Sequence, residues 1–169
     1  YEMREMMETF ILPDMQRRSG QTAVIRSRTL RTWGDSESGL AEKLADRIDQ
    51  LDSIGNPTLA FLASGIEGIK VRVTAKSKDE ETAARILASE EQFLRNLLGD
   101  IVFGIDEETM ETVVLNSLRR QGMTLAVAES LTGGVMSSRL SDIDRNMNVF
   151  KGAVISGGHA EAAVGEDRG

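Results

Sequence analysis

Apolar residues at helical spacing open the chain. Five of them recur three and four positions apart, which predicts one apolar face of a helix, and Pro13 is expected to end that helix. A stripe of this kind is typical of a packing face. Because the sequence begins at Tyr1 rather than at a methionine, we expect a piece of a longer protein whose upstream part covers the stripe. The five residues are Met3, Met6, Met7, Phe10 and Ile11.

The pattern then changes to short strands and amphipathic helices, up to about residue 104. The β-branched run at 22–33 predicts a strand, and two apolar runs on either side of residues 65–68 predict a hairpin. A helix with a leucine and isoleucine stripe separates the first strand from this hairpin, and Ser36 or Ser38 is expected to cap it.

A second helix is expected to follow the hairpin, because residues 77–80 match a capping box. A short apolar run then predicts a last strand, so the order of this unit is β-α-β-β-α-β. Asp106 is expected to cap the next helix, and two apolar runs at 124–128 and 149–156 predict strands with a helix at 133–143 between them. We therefore predict an α/β protein with the opening of a second α/β unit.

The amino-acid composition limits which kinds of functional site this chain can form. The 169 residues carry 27 acidic and 20 basic side chains, a net charge of −7, with no cysteine and a single histidine, His159. Cysteine-zinc sites, disulfides and multi-histidine metal sites are therefore excluded. Asp142, Asp144 and Asn146 have the spacing of a calcium loop, but Met147 and Ala153 stand where that loop needs glycine and glutamate. We expect no metal, no cofactor, no membrane contact and a cytoplasmic location.

Two pairs of cations suggest a basic surface. Arg26 and Arg28 share one face of their predicted strand, and so do Lys70 and Arg72. A global negative charge opposes nucleic-acid binding, and Glu67 in the glycine-flanked loop would repel phosphate. We expect a solvated or domain-facing surface with, at most, weak and non-specific binding, and we do not expect nucleic acid as a partner.

The stretch TLAVAESLTGG at 124–134 is the most informative in the chain. A strand that turns through two glycines into a helix presents free backbone N–H groups at the helix N-terminus, where an anion is favoured. Ser130 lies at the strand end, in the place of a nucleophile. The alternative interpretation is that Ser130 or Thr132 only caps the helix.

Several motifs resemble the competence/damage-inducible protein (CinA) family and occur in the family's order. They are the AES-x-TGG turn at 128–134, VFKGAVI at 149–155, and upstream YEMREMMETFILP, RTLRTWGDSESGLAEKLAD, NPTLAFLAS, VRVTAK and GDIVFGIDEETMETVV. The resemblance implies three parts. Residues 1–19 are similar to the end of a molybdopterin-binding-like domain, 20–104 to a KH-type module, and 105–169 to the first portion of an amidohydrolase-like domain.

The resemblance also implies a chemistry. The family's C-terminal domain is similar to nicotinamide mononucleotide amidohydrolase, which hydrolyses the carboxamide and releases ammonia. Ser130 matches its nucleophile, and Glu129, Thr132, Gly133 and Gly134 match the substrate-binding turn that holds a phosphate or an oxyanion. Nicotinamide mononucleotide, or a similar nucleotide, is then the expected ligand, and a homo-oligomer is expected.

Two departures from the family pattern bear on activity. The family's tyrosine falls on Gly157 here, and its lysine, the expected base for the serine, falls on Ala162. A serine hydroxyl without a base is a weak nucleophile at neutral pH, and His159 is the remaining candidate base. We therefore expect Ser130 to be silent in this chain. The alternative function is a non-catalytic module that joins domains or protomers.

Overall fold

The computed structural model describes residues 2–20, 23–63 and 65–157, and the chain divides into two compact units, Tyr1–Asp106 and Glu107–Gly169. Each unit is described by itself. Within the described ranges, no helix combines the length and the apolar character needed to cross a membrane.

The first unit opens with a helical segment that runs past Pro13. It consists of α1 (Glu2–Met6), a π-helical turn (Met7–Ile11) and α2 (Leu12–Ser19), and it ends at Gly20. The expectation that Pro13 ends the helix is wrong, because the helical segment continues through this proline, which lies in the first turn of α2 directly after the π-helical turn. The apolar side chains of the segment are exposed, among them Met3, Phe10 and Met15.

The rest of the first unit has the predicted β-α-β-β-α-β order, which the structure confirms. The strands form one antiparallel sheet in the order β2-β3-β1-β4, and the predicted hairpin is the β2–β3 pair. The elements are β1 (Val24–Thr32), α3 (Glu37–Ile54), β2 (Thr58–Ala63), β3 (Ile69–Ser77), α4 (Glu80–Leu98) and β4 (Val102–Ile105).

Both long helices cover the same face of this sheet. Alternate residues of β3 and Leu30 of β1 point towards them and are fully buried, as period-two strands with one covered face require. The buried cluster contains Leu30, Leu40, Leu44, Val71, Val73, Ala75, Leu87, Leu94 and Leu98. The opposite face of the sheet is open.

The register corrects the predicted basic surface. Arg28 lies opposite the buried Val73, so Arg26 and Arg28 belong to the helix-covered face. Arg72 lies opposite Thr29 and therefore belongs, with Lys70, to the open face. The two predicted pairs of cations are on opposite sides of one sheet and form no common stripe.

Capping confirms one sequence prediction and corrects another in this unit. Ser36 caps α3, since its side chain accepts a hydrogen bond from the Gly39 amide at 3.0 Å. Ser77 does not cap α4, because the β1–β3 ladder extends through it. Asp79 is the N-cap instead, and its carboxylate accepts from the Thr82 amide at 2.7 Å.

Asp106 does not cap the following helix either. It adopts a left-handed conformation (φ 50°) and is tied to β1, where its amide donates to the Thr29 carbonyl and its carboxylate accepts from the Thr29 amide. The cap of α5 is Thr109, whose hydroxyl accepts from the Thr112 amide in a capping box.

The second unit contains α5 (Met110–Arg120), β5 (Leu125–Glu129), α6 (Val135–Ile143) and β6 (Phe150–Ile155). The two strands pair in parallel, as an α-β-α-β order predicts. A small core joins the helices to the strands, and its buried members are Leu115, Leu140, Val149 and Phe150.

The Thr109 cap is testable. Thr109→Ala should lower the stability of the second unit by about 1 kcal/mol, because it leaves the Thr112 amide without its acceptor. Thr109→Ser keeps the hydroxyl and should restore most of the loss. Urea unfolding of the three proteins checks this, and equal midpoints for all three would show that Thr109 does not stabilise the helix.

Candidate active site

The turn that follows β5 is organised by a buried carboxylate. Glu129, the last residue of β5, is 5% exposed. It accepts hydrogen bonds from the Thr132 hydroxyl at 2.6 Å and from the Ser137 amide at 2.7 Å. The amides of Gly134 and Met136 each donate to it at 3.1 Å.

These bonds make Glu129 the acceptor for the start of α6. The N-cap of that helix is Gly134, at φ 99°, and it makes no side-chain capping bond. The N–H groups that have no partner within the helix instead donate to a carboxylate from the preceding strand, and its charge also interacts favourably with the helix dipole. The interpretation of Ser130 or Thr132 as the helix cap is therefore wrong. Thr132 supports the cap indirectly, by donating its hydroxyl hydrogen to Glu129.

The same bonds keep Glu129 ionised. Hydrogen bonds from Ser137 and then Thr132 lower the pKa of its carboxyl to about 2, although burial acts in the opposite direction. A carboxylate that accepts several hydrogen bonds is favoured in its charged form. The charge at this helix N-terminus is therefore supplied by the chain itself at every ordinary pH.

Ser130 lies at the surface, one residue beyond Glu129. Its side chain is exposed, its carbonyl accepts from the Gly133 amide at 3.4 Å, and the neighbouring Leu131 is 99% exposed. Within the described residues, the Ser130 hydroxyl makes no hydrogen bond to a base. Lys151, a cation of β6, donates instead to the Met147 carbonyl.

The structure places the candidate residues of the turn together, with one consequence for anion binding. The Thr132 hydroxyl and the Gly134 amide, both predicted to hold a phosphate or an oxyanion, are engaged by Glu129, and the Gly133 amide is engaged by Ser130. An anion at the start of α6 would have to displace the Glu129 carboxylate. The substrate-binding role of these residues stays a prediction.

The family's tyrosine and lysine positions and the candidate base His159 all lie within residues 157–162. Gly157, which stands at the tyrosine position, is described and has open space where a side chain would be. His159 and Ala162 lie outside the described residues.

A second buried carboxylate stabilises the segment that leads into β6. Asp144 is 4% exposed and accepts from the amides of Val149 and Phe150 at 2.7 and 2.8 Å. These bonds fix the backbone at the start of β6, and they lower the pKa of the Asp144 carboxyl. This role of Asp144 is not visible in the sequence, where its spacing from Asp142 and Asn146 suggests only a calcium loop. Asp142 lies in the last turn of α6, and Asp144 stabilises the loop that follows this helix through the two backbone amides.

Comparisons with known proteins match both units. Residues 27–104 match the sequence model of the damage-inducible protein CinA KH domain, and residues 107–158 match that of the CinA C-terminal domain. The chain belongs to the CinA family. Both matched ranges fall within the two compact units of the CinA-like chain, and the predicted α/β class is confirmed.

Curated relatives carry the same name. The chain is 45% identical over 156 residues to a CinA-like protein of Frankia casuarinae, which is 92% of this chain and 36% of that protein. It is 39% identical over 155 residues to one of Dictyoglomus turgidum, with the same two shares. A putative competence-damage inducible protein of Caldicellulosiruptor saccharolyticus is 35% identical over 150 residues, 89% of this chain and 35% of that protein. The CinA-like chain thus spans about a third of the length of these relatives.

Proposed function

We propose that this CinA-like chain is part of a protein related to nicotinamide-nucleotide amidohydrolases, with Ser130 as the nucleophile. The observation that supports the proposal most directly is the geometry of the turn. An exposed serine hydroxyl directly follows a strand whose last residue, Glu129, accepts four hydrogen bonds from the following turn and the start of α6. A nucleophile held on a rigid turn at a strand end is accessible to a substrate carbonyl.

The chemistry assigned to Ser130 is acyl transfer. The serine oxygen attacks the carboxamide carbon of nicotinamide mononucleotide, and its proton passes to the departing nitrogen, which leaves as ammonia. Water then releases the carboxylate product from the serine ester. Each step needs a base near the serine, and none lies there among the described residues. We therefore propose that the chain is inactive by itself.

The direct test is ammonia release. The purified chain is incubated with nicotinamide mononucleotide, beside Ser130→Ala and a Ser138→Ala control in an exposed serine of α6. We expect equal, background release from all three, since general-base assistance is typically worth about 10²–10⁴ in rate. Turnover that Ser130→Ala abolishes and Ser138→Ala keeps would refute the inactivity and would direct attention to His159 or to a second subunit.

The alternative function is a module that joins domains or protomers. The exposed apolar stripe of the N-terminal helical segment favours it, with Met3 75% and Phe10 69% exposed. A contiguous apolar surface of this kind is typical of an interaction site. Self-association of the chain and binding of a nicotinamide nucleotide are both proposals, and Ser130-dependent release of ammonia would decide against a purely structural role.

A further inference from the structure

The tryptophan of the first unit lies beside a broad cleft that is open to solvent. Trp33 directly follows β1 and is 52% exposed, and it is the only tryptophan in the chain. The cleft has a volume of about 680 Å³ and is lined by residues 33–37, which lead into α3, and by Gly65, Gly68 and Ile69 between β2 and β3. We call it the Trp33 cleft.

Glycines leave the indole ring of Trp33 accessible from this cleft. At Gly34 and Gly65, nothing lies within 4 Å of the place that a Cβ would occupy. At Gly68 a Cβ would lie 2.2 Å from the Thr32 carbonyl oxygen and 3.1 Å from Cε3 of Trp33. The loop before β3 therefore approaches the indole closely through its backbone alone, while about half of the ring residue stays exposed.

The two carboxylates of the cleft differ in their partners. Asp35 accepts from the Lys43 ammonium at 2.6 Å and from the Ser36 amide at 2.8 Å, and these bonds lower the pKa of its carboxyl. Glu37, in the first turn of α3, is exposed and makes no hydrogen bond or ion pair with a described residue. The charge of Asp35 is therefore compensated within the protein, whereas the charge of Glu37 is available to a ligand.

The cleft is unfavourable for an anion, although a helix N-terminus usually attracts negative charge. The Ser36 hydroxyl already accepts from the Gly39 amide at 3.0 Å. The Asp35 carboxylate also lies at this position, since a Cβ on Gly39 would be 2.2 Å from its Oδ1. A negatively charged ligand would meet Asp35 and Glu37, so the cleft favours a cation.

An arginine side chain fits the combination of an aromatic ring and a free carboxylate. The planar guanidinium stacks on aromatic faces, donates two parallel N–H bonds to a carboxylate and is more weakly hydrated than an ammonium. The first unit already contains this arrangement: Arg47 donates to Glu90 at 2.9 Å and lies 4.5 Å from the centroid of the Phe93 ring. Trp33 and Glu37 offer the same two groups without an arginine.

The open shape of the cleft favours a side chain that belongs to a larger partner. Sites for free small molecules bury most of the ligand surface, which this cleft cannot do. A cation–π contact and an exposed ion pair are each weak by themselves, so further contacts outside the cleft are needed for stable binding. The net charge of −7 makes a basic protein the complementary partner.

We propose that the Trp33 cleft receives an arginine side chain of a basic protein partner. The guanidinium stacks on the indole of Trp33 and pairs with the carboxylate of Glu37. Gly34, Gly65 and Gly68 leave room for the partner's backbone beside the ring. The site lies within the first unit and does not depend on the chemistry proposed for Ser130.

The single tryptophan makes the test specific to this site. The chain is titrated at constant ionic strength with a blocked pentapeptide that carries one arginine between pairs of glycines, and with the same peptide containing citrulline, which keeps the shape and lacks the charge. Tryptophan emission and the indole N–H proton resonance both report on Trp33 alone. We expect a saturable response to the arginine peptide and roughly 3- to 30-fold weaker binding of the citrulline peptide.

Two outcomes of this titration would overturn the proposal. Equal affinities for the two peptides would show that the cleft does not recognise the charge, and an unchanged indole resonance would show that the peptide does not reach Trp33. Free arginine is the third ligand. Binding of free arginine that is tighter than binding of the peptide would replace the protein partner with a small molecule.

A matched pair of variants tests the role of Glu37. Glu37→Gln and Glu42→Gln each remove one exposed carboxylate from α3, but Glu42 does not line the cleft. We expect Glu37→Gln to weaken binding of the arginine peptide about two- to fivefold and Glu42→Gln to leave it unchanged. Circular dichroism checks that both variants fold. Equal weakening by the two would reduce the effect to general attraction by an acidic protein and would overturn the proposal.

Sedimentation equilibrium distinguishes a different protein from a second copy of this chain. We expect the parent chain and Glu37→Gln to have the same association state, because the arginine comes from another protein. Self-association of the parent chain that Glu37→Gln weakens would replace the basic partner with a second copy.

Discussion

Glu129→Gln, which hardly changes the size of the side chain, will strongly destabilise the second unit. The carboxylate accepts three backbone N–H groups and one hydroxyl, and it supplies the charge that faces the start of α6. Glutamine keeps the size, loses the charge and turns one acceptor oxygen into a donor that opposes these N–H groups. Buried donors without an acceptor are strongly unfavourable.

We expect the midpoint of thermal unfolding of this unit to fall by at least about 5 °C, since a domain of this size loses roughly 4–8 °C for each kcal/mol. Hydrogen exchange at the amides of β5 and β6 reports on the unit separately from the first. Asp142→Asn, an exposed carboxylate of α6, is the matched control and should change neither readout. An unchanged midpoint for Glu129→Gln would show that the four bonds do not support the turn.

The pH dependence of the two proteins should differ in a defined window. Glu129 has a pKa of about 2 in the folded chain against an ordinary value of 4.5. A lowered pKa stabilises the fold above the unfolded value and loses that contribution as the pH falls through the folded value. The parent protein should therefore lose the Glu129 contribution between about pH 4.5 and pH 2, whereas Glu129→Gln should lack this component.

Leu94→Ala will cause a comparable loss in the first unit. Leu94 of α4 is fully buried in the cluster between the helices and the sheet. Removing its branched side chain costs the transfer of those atoms and leaves a cavity, together about 2–5 kcal/mol. Urea unfolding followed by far-ultraviolet circular dichroism measures the change.

Leu97→Ala is the control for Leu94. Both are leucines of α4, three positions apart, but Leu97 is 45% exposed. We expect its replacement to cost less than about 1 kcal/mol, near the range for surface positions. If both variants lost the same stability, Leu97 would be covered in solution and the described packing of α4 would be incomplete.

The order of elements in the first unit could be predicted from the sequence because its signals are local. Period-two strands around residues 65–68 predicted the hairpin, and Ser36 predicted the start of α3. Ser77 matches the capping-box pattern, but it pairs with Val24 in the β1–β3 ladder and does not cap α4. Local patterns compete with distant hydrogen bonds, and the sequence does not state which prevails.

The sequence also did not determine on which face of the sheet each strand cation lies. Arg26, Arg28, Lys70 and Arg72 were identifiable as strand cations, and each pair did share a face of its own strand. Which face of one strand matches which face of the next depends on the register, and a shift of one residue exchanges them. The pairing of Arg28 with Val73 placed the pairs on opposite sides.

The sequence by itself determined the family, the α/β class and the strand–turn–helix motif with Ser130 at the strand end. Each of these depends on short stretches of neighbouring residues, and the matches to the family's sequence models confirm the family. Only the tertiary structure decided what Glu129 does. Its partners at Gly134, Met136 and Ser137 lie five to eight residues ahead, on a helix that must fold back over the strand before their amides converge on one carboxylate. Convergence of this kind is a property of three-dimensional packing, which periodicity along the chain does not encode.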